Sequence, residues 1–187
     1  TRAADTFAER SRGRFDSLDA VGFSRITAGQ SIAEVGAGTG HFLSLFAEVA
    51  GLLVAVDLTP GMLQRARRDH PELQLVVGDG FRLPLGSRSV DIVATAQALH
   101  HIWRPVEVLK ECRRAVSDEG FVLVLDSVAT ERLEEAEMMN LLDRVRDPSH
   151  AAFRSPSAMR LIVQAAGLEI VDERLTTERS RLSKWMW

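Results

Sequence analysis

The 187-residue chain has no tyrosine, one cysteine and, among its 23 basic residues, only two lysines, Lys110 and Lys184. Each scarcity removes a class of function. Without tyrosine, the Tyr-Lys pair that short-chain nicotinamide reductases use cannot be built. A lone Cys112 excludes a disulfide framework and a thiolate metal cluster, and it suits a reducing compartment. The net charge of -3 leaves no basic footprint of the kind nucleic acid requires. No apolar run approaches the ~18 residues of a membrane span. The opening stretch TRAADTFAERSRGRF is charged throughout and lacks the apolar block of a secretory signal. Because the first residue is not methionine, the start reads as trimmed. The expectation is a cytoplasmic protein with no membrane span, no nucleic-acid partner and no metal.

What the chain does have is an ordinary globular composition, 45% apolar and 26% charged. Its length suffices for one domain with a sizeable core. Apolar runs alternate with amphipathic segments from residue 31 to residue 126. SIAEV (31–35), LLVAVD (52–57), LQLVVGD (73–79), VDIVAT (90–95) and GFVLVLD (120–126) read as strands. A helix is expected after the first, with Phe42, Leu45, Phe46 and Val49 on one face and Gly51 as its C-cap. The next helix opens at Thr59-Pro60 and stops before Pro71. RPVEVLKECRRAV (104–116) places Val108, Leu109, Cys112 and Val116 on one helical face. TERLEEAEMMNLLDRVR (130–146) reads as an acidic-then-apolar helix that breaks at Asp147-Pro148. A capped helix then runs from Ser155-Pro156 to Gly167, and LEIVDERL (168–175) resembles a further strand. The closing RSRLSKWMW carries Trp185 and Trp187, read with Trp103 as packing residues. Continuous apolar strands separated by helices imply a parallel sheet covered on both faces.

EVGAGTGHF (34–42) follows the first strand. A strand leading through glycines into a helix sets backbone N–H groups beside a ligand, and glycine lets that ligand come close. The dinucleotide fingerprint G-x-G-x-x-G would need glycine where this chain has His41. The loop is instead G-x-G-x-G, which disfavours a pyrophosphate. Asp57 ends the second strand, where a carboxylate with two acceptor oxygens can hold a ribose diol. Asp79 ends the third, placed for an exocyclic adenine amine. With Glu34 added, the site is acidic and suits a ligand bearing an amine and a sulfonium.

These residues resemble the class I S-adenosylmethionine-dependent methyltransferases, in the branch of the ubiquinone- and menaquinone-biosynthesis-type enzymes. EVGAGTG looks like the family's first motif and VDLTPGMLQRA (56–66) like its ribose segment. VGDGFRLPLGSRSVDIV (77–93) is similar to its adenine segment and fourth strand. ALHHIWRPVEVLKECRRAVSDEGFVLVLD (98–126) and RDPSH (146–150), followed by SPSAMRLIVQAAGLEIV, resemble the remainder, in the expected order. The resemblance implies an α/β fold, a three-layer α/β/α Rossmann-like sandwich with a mostly parallel sheet. It departs from the family in SDEGF before the fifth strand and in an incomplete C-terminal strand pair. The expected organisation is a single domain over 1–187: an N-terminal helical cap (1–30), a cofactor-binding core (31–126), then a lid helix, a helix and a further strand (127–187) whose end reads as truncated. The resemblance further implies a cofactor, S-adenosylmethionine, and the residues that hold it. Gly36, Ala37, Gly38 and Gly40 would line its methionine part, with Glu34 beneath. Asp57 would hold the ribose, and Leu58 and Met62 would flank the adenine. Asp79 would accept from its amine, beside Gly78, Gly80 and Phe81, while Ala96 and Gln97 would sit under the methyl donor.

Methyl transfer from a sulfonium is an in-line displacement, so the protein's work is alignment and exclusion of water. An oxygen acceptor gains from a general base, and His100, His101 and His150 are the histidines available to the acceptor side. Each also has a packing or loop role open to it. Met138, Met139, Leu141 and Leu142 form either core or an adaptable apolar lid. Cys112 reads as a buried helical position. The partner is a small-molecule methyl acceptor, and self-association into a homo-oligomer is compatible with the chain. The alternatives are a non-catalytic S-adenosylmethionine-binding module and a nucleic-acid or protein methyltransferase. The latter lacks an Asn/Asp-Pro-Pro-aromatic motif where this chain has TAQALHH, and Cys112 lies mid-helix.

Overall fold

The computed structural model describes residues 2–11, 13–15 and 18–177. The chain forms two compact units, one of Thr1–Leu99 with Glu107–Asp126, the other of His100–Val106 with Ser127–Trp187. The first holds a five-stranded parallel sheet in the order β3-β2-β1-β4-β5. Its strands are β1 (Ser31–Val35), β2 (Leu52–Asp57), β3 (Gln74–Val77), β4 (Val90–Ala96) and β5 (Val116–Leu125). β1, β2 and β4 are buried almost throughout, because a strand covered on both faces has no solvent side to alternate toward. Ile32, Ala55, Ile92 and Ala94 join Phe42, Leu43, Phe46 and Leu63 in the core. The sheet changes winding direction between β1 and β4, where an open α/β sheet leaves a crevice at its carboxyl edge.

Two short helices, α1 (Arg2–Ser11) and α2 (Ala20–Ser24), precede the sheet. Asp19 caps α2 by accepting from the Gly22 N–H at 2.9 Å. α3 (Pro60–Asp69) starts at Pro60 as expected, and α4 (Pro105–Ala115) buries Val108, Leu109 and Cys112. Burial pushes the Cys112 thiol up to about 12, so it stays protonated and inert.

Three expectations change. The segment after β1 is a single 3₁₀ turn, Leu43–Phe46, flanked by other turns. Between Gly40 and Gly51 the same face is buried by mixed i→i−3 and i→i−4 bonds instead of a continuous helical ladder. Gly51 is therefore no helix cap. It is pressed against Gly29, whose carbonyl oxygen lies 2.5 Å from where a Cβ would stand. β5 begins at Val116, with a register shift opposite Val90 and Ile92 that absorbs SDEG as a bulge. LEIVDERL forms no strand, since no described residue offers it a ladder partner.

In the second unit, α5 (Leu133–Arg146) and α6 (Pro156–Ala165) are the helices. Ser155 caps α6. α5 reverses the usual polarity. Asn140 and Asp143 turn inward, while Met138, Leu141, Leu142 and Val145, at i, i+3, i+4 and i+7, are exposed. RSRLSKWMW, with Trp185 and Trp187, lies outside the described residues. No helix among the described residues is long and apolar enough to cross a membrane.

Candidate functional site

The glycine turn leaves β1 and bends back on itself. Gly36, Gly38 and Gly40 all adopt positive φ, +74°, +55° and +82°. At Gly36 a Cβ would stand 2.7 Å from the Ala98 Cβ, and at Gly40 2.6 Å from Leu73 Cδ1. Both strain and contact therefore require glycine there. Gly40→Ala should cost roughly 2 kcal/mol, the scale of a residue forced left-handed, and lower Tm by roughly 4–8 °C in a thermal melt. An unchanged Tm would show that the turn adapts.

The turn's N–H groups are already engaged. Those of Gly36 and Ala37 both donate to the Val56 carbonyl (2.9 and 3.1 Å), and that of Gly40 to Ala37 (2.8 Å). The Gly38 N–H donates to Asp57 Oδ2 at 2.8 Å, while Thr59 N–H donates to Asp57 Oδ1 at 2.7 Å. With these four donors spent and only a 3₁₀ turn behind them, a pyrophosphate would meet fewer donors here and no regular helix dipole. Asp57 keeps further lone pairs on both oxygens.

Glu34 is 1% exposed on the central strand, and its Oε2 meets no hydrogen-bond partner. Burial pushes its carboxyl well above the ordinary range, opposed by the Leu43 N–H and reinforced by the nearby Asp57. A buried, orphaned carboxylate oxygen calls for a cationic donor.

Glu34, Gly36, Ala37, Gly38, Ala96 and Gln97 line one cleft of about 50 Å³. Gln97 has φ +53°, an uncommon conformation for a residue with a side chain, at the carboxyl end of β4. The other side of the cleft was not foreseen from sequence. Phe7 and Ser11 of α1, with Arg14, Phe15, Thr39, His41 and Phe42, complete it. α1 is held by Asp5 to Arg65 and Arg68 of α3 (2.8 and 2.7 Å) and by His41 Nε2, 3.1 Å from the Ala8 carbonyl oxygen. The sequence implied an N-terminal helical cap over 1–30, but not what that cap covers.

Gly40, Asp57, Leu58, Met62, Gly78, Asp79, Gly80 and Phe81 do not line that cleft. Gly40 stands in the turn, Met62 in α3, and the others at or just past the carboxyl ends of β2 and β3. Asp79 is exposed and accepts from the Phe81 N–H at 2.9 Å. Leu58 and Phe81 are 68% and 44% exposed, apolar groups left in water beside the strand ends.

The three histidines fall within the second unit. His100 is buried, its ring 4.1 Å from that of His101 and 5.2 Å from Phe153. His101 Nδ1 lies 3.0 Å from Ser149 Oγ, whose hydroxyl donates to Asp147 Oδ1 at 2.6 Å. The His150 side chain is 0% exposed. Its Nε2 is 2.8 Å from Asn140 Oδ1, and its Nδ1 is 3.1 Å from Asp143 Oδ2. Desolvation pulls the His150 ring below its ordinary value despite Asp143. Among the described residues no group of three or more His, Cys, Asp or Glu is arranged to hold a metal ion.

The fold and the glycine turn define a nucleotide-type α/β domain. Residues 33–124, just under half of the chain, match the methyltransferase domain model. A Mycolicibacterium smegmatis protein named "Probable S-adenosylmethionine-dependent methyltransferase" is 28% identical over 131 residues, 62% of this chain and 51% of that one. The demethylmenaquinone methyltransferase of Renibacterium salmoninarum is 31% identical over 109 residues, 58% of this chain and 45% of that one. The solved structure of YcgJ from Bacillus subtilis superposes with a TM-score of 0.73 at 26% identity, covering 78% of this chain and 64% of that one. The chain spans about half the length or less of these two curated relatives.

Proposed function

We propose that the chain transfers a methyl group from S-adenosylmethionine to a small apolar or aromatic acceptor bearing a hydroxyl, with a hydroquinone as the leading class. The observation that carries the reading is the pairing of an internally satisfied glycine turn with the orphaned Glu34 carboxylate. The buried carboxylate favours the ammonium and sulfonium of this cofactor over a pyrophosphate. Glu34, Gly36, Ala37 and Gly38 would hold the amino-acid part, and Ala96 and Gln97 the region of the methyl donor. Asp57 would take the ribose hydroxyls. Leu58, Met62 and Phe81 would cover the adenine faces, and Asp79, with Gly78 and Gly80, its edge. When bound, the cofactor supplies a methyl group on a sulfonium, which departs with the bonding pair left on sulfur.

The quinol preference rests on the demethylmenaquinone methyltransferase relative and on the exposed apolar residues of α5. His100, His101 and His150 are the candidates for taking the acceptor's proton. The negative net charge argues against a nucleic-acid substrate, and a buried lone thiol fits a cytoplasmic setting.

Isothermal titration with S-adenosylmethionine, S-adenosylhomocysteine and NADH tests the cofactor. Micromolar binding of the two sulfur compounds, and none of NADH, is the expected outcome. The reverse pattern would overturn the reading. Mass-spectrometric detection of a methylated product from 1,4-dihydroxynaphthalene tests the acceptor class.

A further inference from the structure

The geometry points to His41 as a positioning residue that fastens α1 as a gate over the cofactor cleft, with His70 holding its ring in the donating tautomer. The inference deepens the proposed function, because it takes the cleft to receive the amino-acid end of S-adenosylmethionine.

The cleft of about 50 Å³ is far below the ~300 Å³ at which small-molecule sites begin, so one wall must move for a ligand to enter. The strand and turn walls are fixed. Glu34 and Ala96 lie on β1 and β4, inner strands of the sheet, and the glycine turn is tied to Val56 and Asp57 of β2. α1 is the wall free to swing. Phe7 and Ser11 face the cleft from it, and Phe7 Cε1 lies 3.6 Å from where a Cβ on Gly38 would stand. Among its described side chains only Ala4, Ala8 and Ser11 are buried, and all three are small. So slight an apolar contact holds a helix weakly, and polar fastenings decide how often it opens.

Near its start, Asp5 pairs with Arg65 and Arg68 of α3. The side chains of Asp5 and Arg68 are 40% and 60% exposed, and water weakens such a pair. At the other end, His41 Nε2 lies 3.1 Å from the Ala8 carbonyl oxygen, in partial shelter. Ala8 stands in the last turn of α1, where a helix leaves its carbonyls to outside donors.

A carbonyl oxygen only accepts, so His41 carries a proton on Nε2 and, as a neutral ring, a lone pair on Nδ1. His70 Nε2 lies 3.1 Å from that lone pair and supplies the hydrogen. In the other tautomer His41 would set N–H against N–H and turn a bare nitrogen to Ala8. Each contact therefore fixes the other. Burial, reinforced by His41, holds the His70 ring below its ordinary value against the pull of Glu72 and Asp69. Glu72 Oε1 is 3.6 Å from His70 Nδ1, and Asp69 is paired with Arg65 at 2.7 Å.

This fastening belongs to the closed position of α1, with or without a ligand in the cleft. An interaction made equally in the free and bound protein cancels from affinity and shows in the rates alone. His41 sets how fast the cofactor enters and leaves, while Glu34 and the turn set how tightly it is held.

Surface plasmon resonance with S-adenosylhomocysteine over the immobilised full chain reads both rates. His41→Phe keeps a ring and loses the donor. It should raise association and dissociation together by about fivefold to tenfold, the scale of one hydrogen bond. Kd should move by less than about twofold. His41→Gln, whose amide N–H can serve Ala8, should return the rates toward those of the parent. In the protein without cofactor, hydrogen exchange at the α1 amides should quicken in His41→Phe and stay near the parent in His41→Gln. Long-range proton–nitrogen spectra at about pH 8, above the ordinary imidazole range, should show His41 protonated on Nε2, with His41→Phe assigning the signal. A ring protonated on Nδ1, or α1 exchange indifferent to His41→Phe, overturns the gate. So does a His41→Phe variant that loses affinity with no faster association, the mark of a ligand contact or a damaged turn. If S-adenosylhomocysteine binds neither parent nor variants while exchange and tautomer come out as expected, the gate stands and the cofactor reading falls.

Discussion

Asp57→Ala should weaken S-adenosylhomocysteine binding about a hundredfold, the equivalent of roughly 3 kcal/mol and of one or two hydrogen bonds to a charged group. Two losses coincide in this variant. The carboxylate no longer meets the ribose, and the Gly38 and Thr59 N–H groups lose the acceptor that shapes the turn and the start of α3. Asp57→Asn separates the two, because its single carbonyl oxygen can serve one N–H while its amide repels the other. It should fall between the parent and the alanine variant. Isothermal titration checks both, and an affinity unchanged in Asp57→Ala would place the ribose elsewhere.

Glu34→Gln should move stability and binding in opposite directions. A carboxyl whose pKa is raised in the folded state binds its proton more tightly there than in the unfolded chain. Stability is therefore greatest at low pH and declines as pH rises from the ordinary carboxylate range through the raised folded value. The glutamine variant, which carries no charge to desolvate, should melt higher at neutral pH, by about 2–4 °C for each 1 kcal/mol gained in a chain this size. Its affinity for S-adenosylmethionine should fall about tenfold to a hundredfold, the range of one charge-assisted hydrogen bond. In the parent protein, binding a cation at Glu34 releases a proton, so affinity should rise with pH by at most about tenfold per unit over the titration. Binding heats that do not differ between phosphate and Tris buffers would show that no proton leaves. Equal melting temperatures would show that Glu34 is not strained by burial.

The sequence marked β1 and β2 to the residue and β4 to within one, because strands buried on both faces must be unbroken apolar runs. It also marked Thr59-Pro60 and Ser155-Pro156 as helix starts, where proline fixes the first turn. It failed where the outcome depends on distant partners. The 42–49 segment has a helical face, yet its bonds alternate between i→i−3 and i→i−4 and leave one 3₁₀ turn. LEIVDERL has strand residues but no neighbour to pair with among the described residues. Glycine spacing pointed to the cleft that holds Glu34, Gly36, Ala37, Gly38, Ala96 and Gln97 together. Nothing local could announce that Phe7 and Ser11 would form its other wall, nor that Ser149 would stand between Asp147 and His101. Those meetings join segments far apart in the chain.

The strand order also sets a schedule for the newborn chain. β1, β2 and β3 are neighbours in sequence and in space, so this half can zip together as it leaves the ribosome. β4 must then return to the open flank of β1, where Glu34 pairs with Ala94. Until it arrives, the N–H and C=O groups of Ile32, Ala33 and Glu34 along that edge face water, so the middle of the sheet is completed only after its β3 side.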